Sequence, residues 1–214
     1  MYKLLFILAL ALTTQTVQAR EKRDDTKYLA KGVVPTDNNG IVTFTQAFAV
    51  PGKSAAEIYN TMKQYLEGVE EAAMHDLRTK FMEQDAAAGL LVLRAEEWMV
   101  FKHKVFNLDR TRFRYHYQVK CSDGRCDMTI TQITYYYEED LDGSNGKTYK
   151  AEEWITDEEA LNRKGTKLLP YSGKFRRKTV DRVEALFDGA RQCFEEPEPA
   201  PVVQEKKRST QVIK

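Results

Sequence analysis

Alternation of apolar and polar side chains is clearest from Arg110 to Cys121. There Phe113, Tyr115, Tyr117, Val119 and Cys121 interleave with Arg112, Arg114, His116, Gln118 and Lys120. A period of two predicts a strand with one buried face and one wet face. Cys126 to Glu138 reads as its partner. Ile41 to Val50 is another strand, with Val42, Phe44, Phe48 and Val50 on one face and Thr43 and Thr45 on the other, ended by Pro51-Gly52. Leu77 to Asp85 is a weaker strand, and Ala86 to Gly89 turn the chain. Leu90 to Lys104 is longer. Its apolar residues lie on both sides around Leu91–Leu93 and Trp98–Phe101, so the pattern does not choose an inward face, and it admits a bulge near Glu96-Glu97.

Elsewhere the period changes to that of a helix. Ile58, Tyr59, Met62, Tyr65, Leu66 and Val69 form one apolar stripe over Ala55 to about Ala73. Ser54 and Glu57 stand before it at capping-box spacing. A last helix runs from about Lys174 to Phe194, with Phe175, Thr179, Val183, Leu186, Phe187, Ala190 and Phe194 as its stripe. Between strands and last helix, Leu141 to Lys147 is a turn region built on two Gly-containing pairs. Thr156 and Glu159 make a second capping box before a short helix.

The predicted order is strand, helix, four strands, helix. Short connections make the sheet antiparallel. Two amphipathic helices need an apolar surface, and the inward face of the sheet is the one available. The fold class is therefore α+β, a curved antiparallel sheet of about five strands with both main helices on one face.

The hairpin Cys121-Ser122-Asp123-Gly124-Arg125-Cys126 sets a register. Asp-Gly predicts a two-residue turn with positive φ at both central positions. Ser122 then pairs with Arg125, and Cys121 faces Cys126 at a non-hydrogen-bonded position suited to a disulfide. The register places Val119 opposite Met128 and Tyr117 opposite Ile130. It would then put Tyr115 opposite Gln132. One extra residue near Thr131-Gln132 restores the match, with Tyr115 opposite Ile133 and Phe113 opposite Tyr135, so a bulge is predicted there. A metal or redox role for the cysteines fits less well, since no second Cys or His cluster accompanies them and the spacing is not C-x-x-C. Cys193, near the end of the last helix, is left over and reads as a small buried hydrophobe.

The ends of the chain fix the compartment. Met1-Tyr2-Lys3 is basic, Leu4 to Leu12 is apolar, and Val17-Gln18-Ala19 ends in small residues. This is the pattern of a secretory signal peptide over residues 1–19. The apolar run is too short to span a bilayer, so an exported protein, periplasmic or secreted, is expected. Residues 20–32 form an N-terminal extension and 33–194 a single domain. Residues 195–214 form a Pro- and charge-rich tail expected to be disordered. Losing Lys3 with the leader removes the net charge of +1, so no global field draws in nucleic acid or anionic membrane.

The strand–Pro-Gly–capped helix stretch from Phe44 to Tyr59, the hairpin from Phe113 to Tyr137 and the acidic, Trp-containing stretch Ala151 to Lys167 carry a resemblance. With the leader, they resemble a family of secreted bacterial domains of unknown function with a TATA-binding-protein-like fold, also called helix-grip. The resemblance implies fold and export. It implies no catalytic residues and no cofactor.

The residues themselves offer little catalysis. His75, His103 and His116 have no metal-pair spacing. His116 shares a wet face with Arg112 and Arg114, which reads as a solvated face or an anion-binding strip. Paired carboxylates such as Glu96-Glu97 and Glu152-Glu153 leave a hydrolase as a distant alternative. An enzyme is therefore not expected. Two binding readings remain. In the first, Tyr115, Tyr117, Met128, Tyr135 and Phe187 line a cavity between sheet and C-terminal helix for a small apolar or amphipathic ligand. In the second, the open sheet face or an edge binds an exported protein, with Trp98 and Trp154 as contact residues.

Overall fold

The computed structural model describes residues 25–72, 78–104, 107–137 and 146–195. The leader, His75, Leu141 to Asn145 and nearly all of the tail lie outside these residues. Strand β1 (Phe44–Ala49) leads through Pro51-Gly52 into helix α2 (Ala55–Ala72), and a short helix, α1 (Thr26–Leu29), precedes both. Strands β2 (Lys80–Asp85), β3 (Leu90–Lys104), β4 (Asn107–Ser122), β5 (Arg125–Tyr137) and β6 (Lys147–Lys150) follow. A 3₁₀ turn (Ala151–Glu153), a short helix α3 (Asp157–Ala160) and the long helix α4 (Gly173–Gln192) complete the order. The sheet runs β1-β5-β4-β3-β2, with β6 also beside β5, and every pairing is antiparallel. Strand β6 was not predicted. Its sequence, Lys-Thr-Tyr-Lys, is too short and polar to show an alternation.

Both main helices lie on one face. Ile58, Tyr59, Met62 and Leu66 of α2 are buried, as are Phe175, Val180, Val183, Leu186, Phe187 and Ala190 of α4. They meet Leu91, Leu93, Phe113, Tyr115, Tyr117, Val119, Met128, Ile130 and Tyr135 of the sheet in one core. The inward face of β3 is now fixed: Leu91, Leu93, Ala95 and Met99 are buried.

Register follows the expected pairings: Ser122 with Arg125, Cys121 with Cys126, Val119 with Met128, Tyr117 with Ile130 and Phe113 with Tyr135. The shift lies where it was expected, and Gln132 is the extra residue, at φ 55°. This bulge is also where β5 changes its outer partner. Before it, Ile130 pairs with Phe44 of β1; after it, Thr134 pairs with Lys150 of β6. Glu152 closes the gap, its Oε1 accepting the Val42 N–H at 2.7 Å.

Three local expectations need correction. The hairpin turn has positive φ only at Gly124 (69°), not at Asp123. Docking sets this turn: the Asp123 carboxylate accepts the Ala55 N–H at the start of α2 at 2.7 Å, and the Gly124 N–H donates to the Lys53 carbonyl at 2.9 Å. The strand β3 has no bulge at Glu96-Glu97. Its register with β4 is continuous from Leu90 to Val100 and shifts around Phe101 instead, because Glu96 and Glu97 each find a partner on opposite faces. The Ser54–Glu57 box forms, with the Ser54 N–H donating to Glu57 Oε2 at 2.9 Å and the Glu57 N–H to Ser54 Oγ at 3.3 Å. The Thr156 box does not: Thr156 makes no side-chain cap, and its hydroxyl donates back to the Glu152 carbonyl. Cys121 and Cys126 face each other across the hairpin, both as free thiols.

Arg176 is the largest unexpected core residue. Its side chain is fully buried on α4 and binds the carbonyls of Tyr28 (2.7 Å) and Ile155 (2.8 Å) and Asp157 Oδ1 (2.7 Å). A buried cation is tolerable only when its donors are met this completely. It ties the N-terminal segment and α3 to the last helix.

Candidate functional site

The inner face comes first, since the predicted cavity lies there. Tyr115, Tyr117, Met128, Tyr135 and Phe187 do converge between sheet and α4, and none is more than 4% exposed. They pack on one another and on their neighbours. The Tyr117 and Phe187 rings meet edge-on at 6.0 Å, and the Tyr117 hydroxyl donates to Met128 Sδ at 3.1 Å. Tyr135 and Thr179 share a hydrogen bond of 2.7 Å. The Tyr115 hydroxyl reaches Glu97, whose Oε1 also accepts Arg182 Nε at 2.8 Å. Burial pushes the phenols of Tyr115 and Tyr117 well above their ordinary range, so they are neutral hydroxyls. These five side chains pack together as part of the hydrophobic core.

A cleft does exist at the rim of that layer, between β3 and α4. It has about 270 Å³ and is lined by Met99, Phe113 and Ala185 with Glu97, Lys178 and Arg182 among its polar residues. None of the five predicted residues lines it.

The outer face is different in kind. Cross-strand pairs share a face, so the register sets Trp98 beside Arg112 and Tyr136, Glu96 beside Arg114 and Thr134, and Arg94 beside His116 and Thr131. Among the described residues no helix covers this face. Trp98 lies between two guanidinium groups, Arg110 at 3.6 Å and Arg112 at 4.5 Å from its ring centre. Beneath them Glu96 is 2% exposed. Its Oε1 accepts Arg112 Nη1 at 3.2 Å, its Oε2 accepts Arg114 Nε at 2.7 Å, and Arg78 Nη1 stands 3.6 Å from the same oxygen. Thr79 holds the Glu96 backbone on both sides, at 2.9 and 3.1 Å. A recess of about 380 Å³ opens here, lined by Arg78, Arg94, Ala95, Glu96 and Arg114. Burial, and then the Arg94 charge, lower the pKa of His116.

The two tryptophans therefore separate. Trp98 lies on the open face and also borders the rim cleft. Trp154 does not: it is partly buried in an aromatic cluster on the helix side, 4.3 Å from Tyr149 and 4.6 Å from Phe175 by ring centres. Glu96, Arg78 and Arg94 were not singled out from sequence as binding residues. The signal available was the odd position of Glu96 inside an apolar stretch, but which arginines surround it depends on the β3–β4 register.

The two hairpin thiols are hydrogen-bonded to each other. The hydrogen bond with Cys121, together with burial, raises the Cys126 thiol, while the same bond lowers Cys121. Cys193 is exposed, not buried as expected, and its Sγ donates to the Gly189 carbonyl at 3.3 Å. Among the described residues no three His, Cys, Asp or Glu side chains gather as a metal site, and no helix is long and apolar enough to cross a membrane.

A sheet curved over two helices, joined in this order, defines the TBP-like class of α+β domains. Residues 44–136 match a domain of unknown function, DUF4468, with TBP-like fold. The crystal structure of a DUF4468 family protein from Bacteroides ovatus superposes with a TM-score of 0.75 at 37% identity, covering 84% of this chain and all of that one. This chain belongs to the DUF4468 family. A TBP-like protein from Parabacteroides distasonis gives a TM-score of 0.63 at 21% identity, covering 78% of this chain and 99% of its own. No curated protein matches the sequence.

Proposed function

We propose that this protein is an exported, non-catalytic binding module that engages an envelope or secreted protein partner through the open face of its sheet. The observation that carries this reading is the Trp98 ring held between Arg110 and Arg112 on a face that no described helix covers. Trp and Arg dominate binding energy at protein interfaces. Here the Arg112 guanidinium is already tethered to Glu96, so less of its side-chain freedom is lost on binding. Export rests on the leader-like residues 1–19. In that compartment the facing thiols of Cys121 and Cys126 are expected to oxidise to a disulfide across the hairpin.

The test is photocrosslinking in the native host. A photoreactive side chain replaces Val100, which is 37% exposed and next to Trp98 on this face. Tyr171, in the loop before α4, is the control position. A discrete adduct at Val100, lost with Trp98→Ser and absent at Tyr171, supports the reading. Equal or no adducts at the two positions would sink it. Mass spectrometry of the exported protein under thiol-blocking conditions reads the cysteine state and the mature N-terminus in one spectrum.

The rim cleft favours a second reading. Its apolar floor and charged edge lie between sheet and C-terminal helix, where a small amphipathic ligand would fit. Its volume is at the low end for such sites. A co-purifying small mass, released on denaturation and lost in Ala185→Trp, would move the assignment there.

A further inference from the structure

We propose that the arginine recess of the open sheet face is a binding site for a phosphate monoester. The inference rests on the reading of that face as the working surface, and it names a chemistry for one part of it. Three guanidinium groups, of Arg78, Arg94 and Arg114, line the recess against the single carboxylate of Glu96. Two positive charges are left uncompensated by the lining residues. A carboxylate ligand would cancel one. A phosphate monoester carries roughly −1.5 to −2 at neutral pH and cancels both.

The donors are arranged for such a group. Arg114 spends its Nε on Glu96, and Arg94 spends its Nε on the Arg78 carbonyl at 3.2 Å. Among the described residues, the Nη groups of Arg94 and Arg114 have no hydrogen-bond acceptor. Guanidinium Nη pairs match two oxygens of one phosphoryl group. Glu96 is not a competitor for the ligand. At 2% exposure it is sealed under the arginines it orients, so it acts as a positioning residue. Arg94 also bears on its cross-strand neighbour His116, whose pKa is lowered first by burial and then by the Arg94 charge. About 380 Å³ is more than a bare phosphate fills, which leaves room for the group esterified to it.

The ester could be soluble or part of a lipid headgroup, and two probes separate these sources. Glycerol 3-phosphate is titrated into the protein while the arginine Nε–H signals are followed by NMR. Saturable shifts at Arg94 and Arg114 are expected, with no saturation in sodium chloride of equal ionic strength. Arg94→Ala and, separately, the exposed Arg78→Ala should each weaken binding about tenfold or more. Arg125→Ala, whose guanidinium is held by Asp127, should leave it unchanged. Failure to saturate, an equal response to chloride, or indifference to both recess variants would overturn the site. Phosphatidylcholine vesicles with and without phosphatidic acid form the second arm. Co-sedimentation that needs phosphatidic acid and is lost in Arg94→Ala assigns the phosphoryl group to a lipid. Saturable binding of the soluble ester alone assigns it to a small molecule. Saturable binding with no Val100 adduct would support this site while overturning the protein-partner reading, and an adduct without saturable binding would do the reverse.

Discussion

The two faces of the sheet solve opposite problems with similar residues. On the inner face, tyrosines are buried by packing, and their hydroxyls are absorbed one by one by Met128, Thr179 and Glu97. On the outer face a carboxylate is buried with no helix of the described residues above it, and the cover consists of the arginines that neutralise it. The difference teaches that low exposure does not mean core. Tyr117 is buried because it is apolar enough to leave water. Glu96 is buried because its partners hold it there.

That contrast can be broken by mutation. The largest effect is expected on the inner face. Tyr117→Ala removes a ring packed against Phe187 and should destabilise the fold by about 3–5 kcal/mol, read by chemical denaturation. Tyr117→Phe should cost about 1 kcal/mol, because shape dominates there. On the outer face, Glu96→Ala strands Arg112 and Arg114. Their side chains are 21% and 25% exposed, so solvent relieves part of the penalty, and the cost should be about 1–3 kcal/mol. A loss for Glu96→Ala as large as for Tyr117→Ala would show that the outer network is structural core after all.

The smallest effect sharpens the pH side of the comparison. The Ser54 backbone N–H and hydroxyl, with Lys53, hold the Glu57 carboxyl down at about 2. A depressed carboxyl stabilises the fold above its unfolded value near 4.5 and loses that contribution as pH falls toward 2. Glu57→Gln should therefore lower the melting temperature slightly at neutral pH, with the gap to the parent closing between pH 4.5 and 2. A gap that persists at pH 2 would mean the cap acts through shape alone.

Much of the fold was legible because strong alternation leaves few registers. The mismatch of Tyr115 with Gln132 located the bulge before any coordinates, since only an inserted residue keeps the aromatic rings on one face. What stayed hidden depended on tertiary contact. The turn at Asp123 follows its dock onto α2, the strand Lys147–Lys150 exists because β5 needs an edge partner after Gln132, and Thr156 lacks its cap bond. The role of the inner aromatic stripe stayed open for a simpler reason. An aromatic stripe looks the same in sequence whether it lines a cavity or fills one, and which applies depends on the helix that lies across it. The open-face site was missed because its charges come from Arg78, Arg94, Glu96 and Arg114, spread over three segments that only pairing brings together.

Arg176 has a consequence for the order in which the molecule assembles. It joins residues 28–30, 155 and 157 from a position far along the chain, and α4 also supplies a full side of the interior. Contacts so distant in sequence close late, after the loop entropy between them has been overcome. The hairpin β4–β5, closer in sequence, is expected to form before these contacts. A chain cut before α4 is therefore expected to leave the N-terminal strap without its anchor and part of the inner sheet face uncovered.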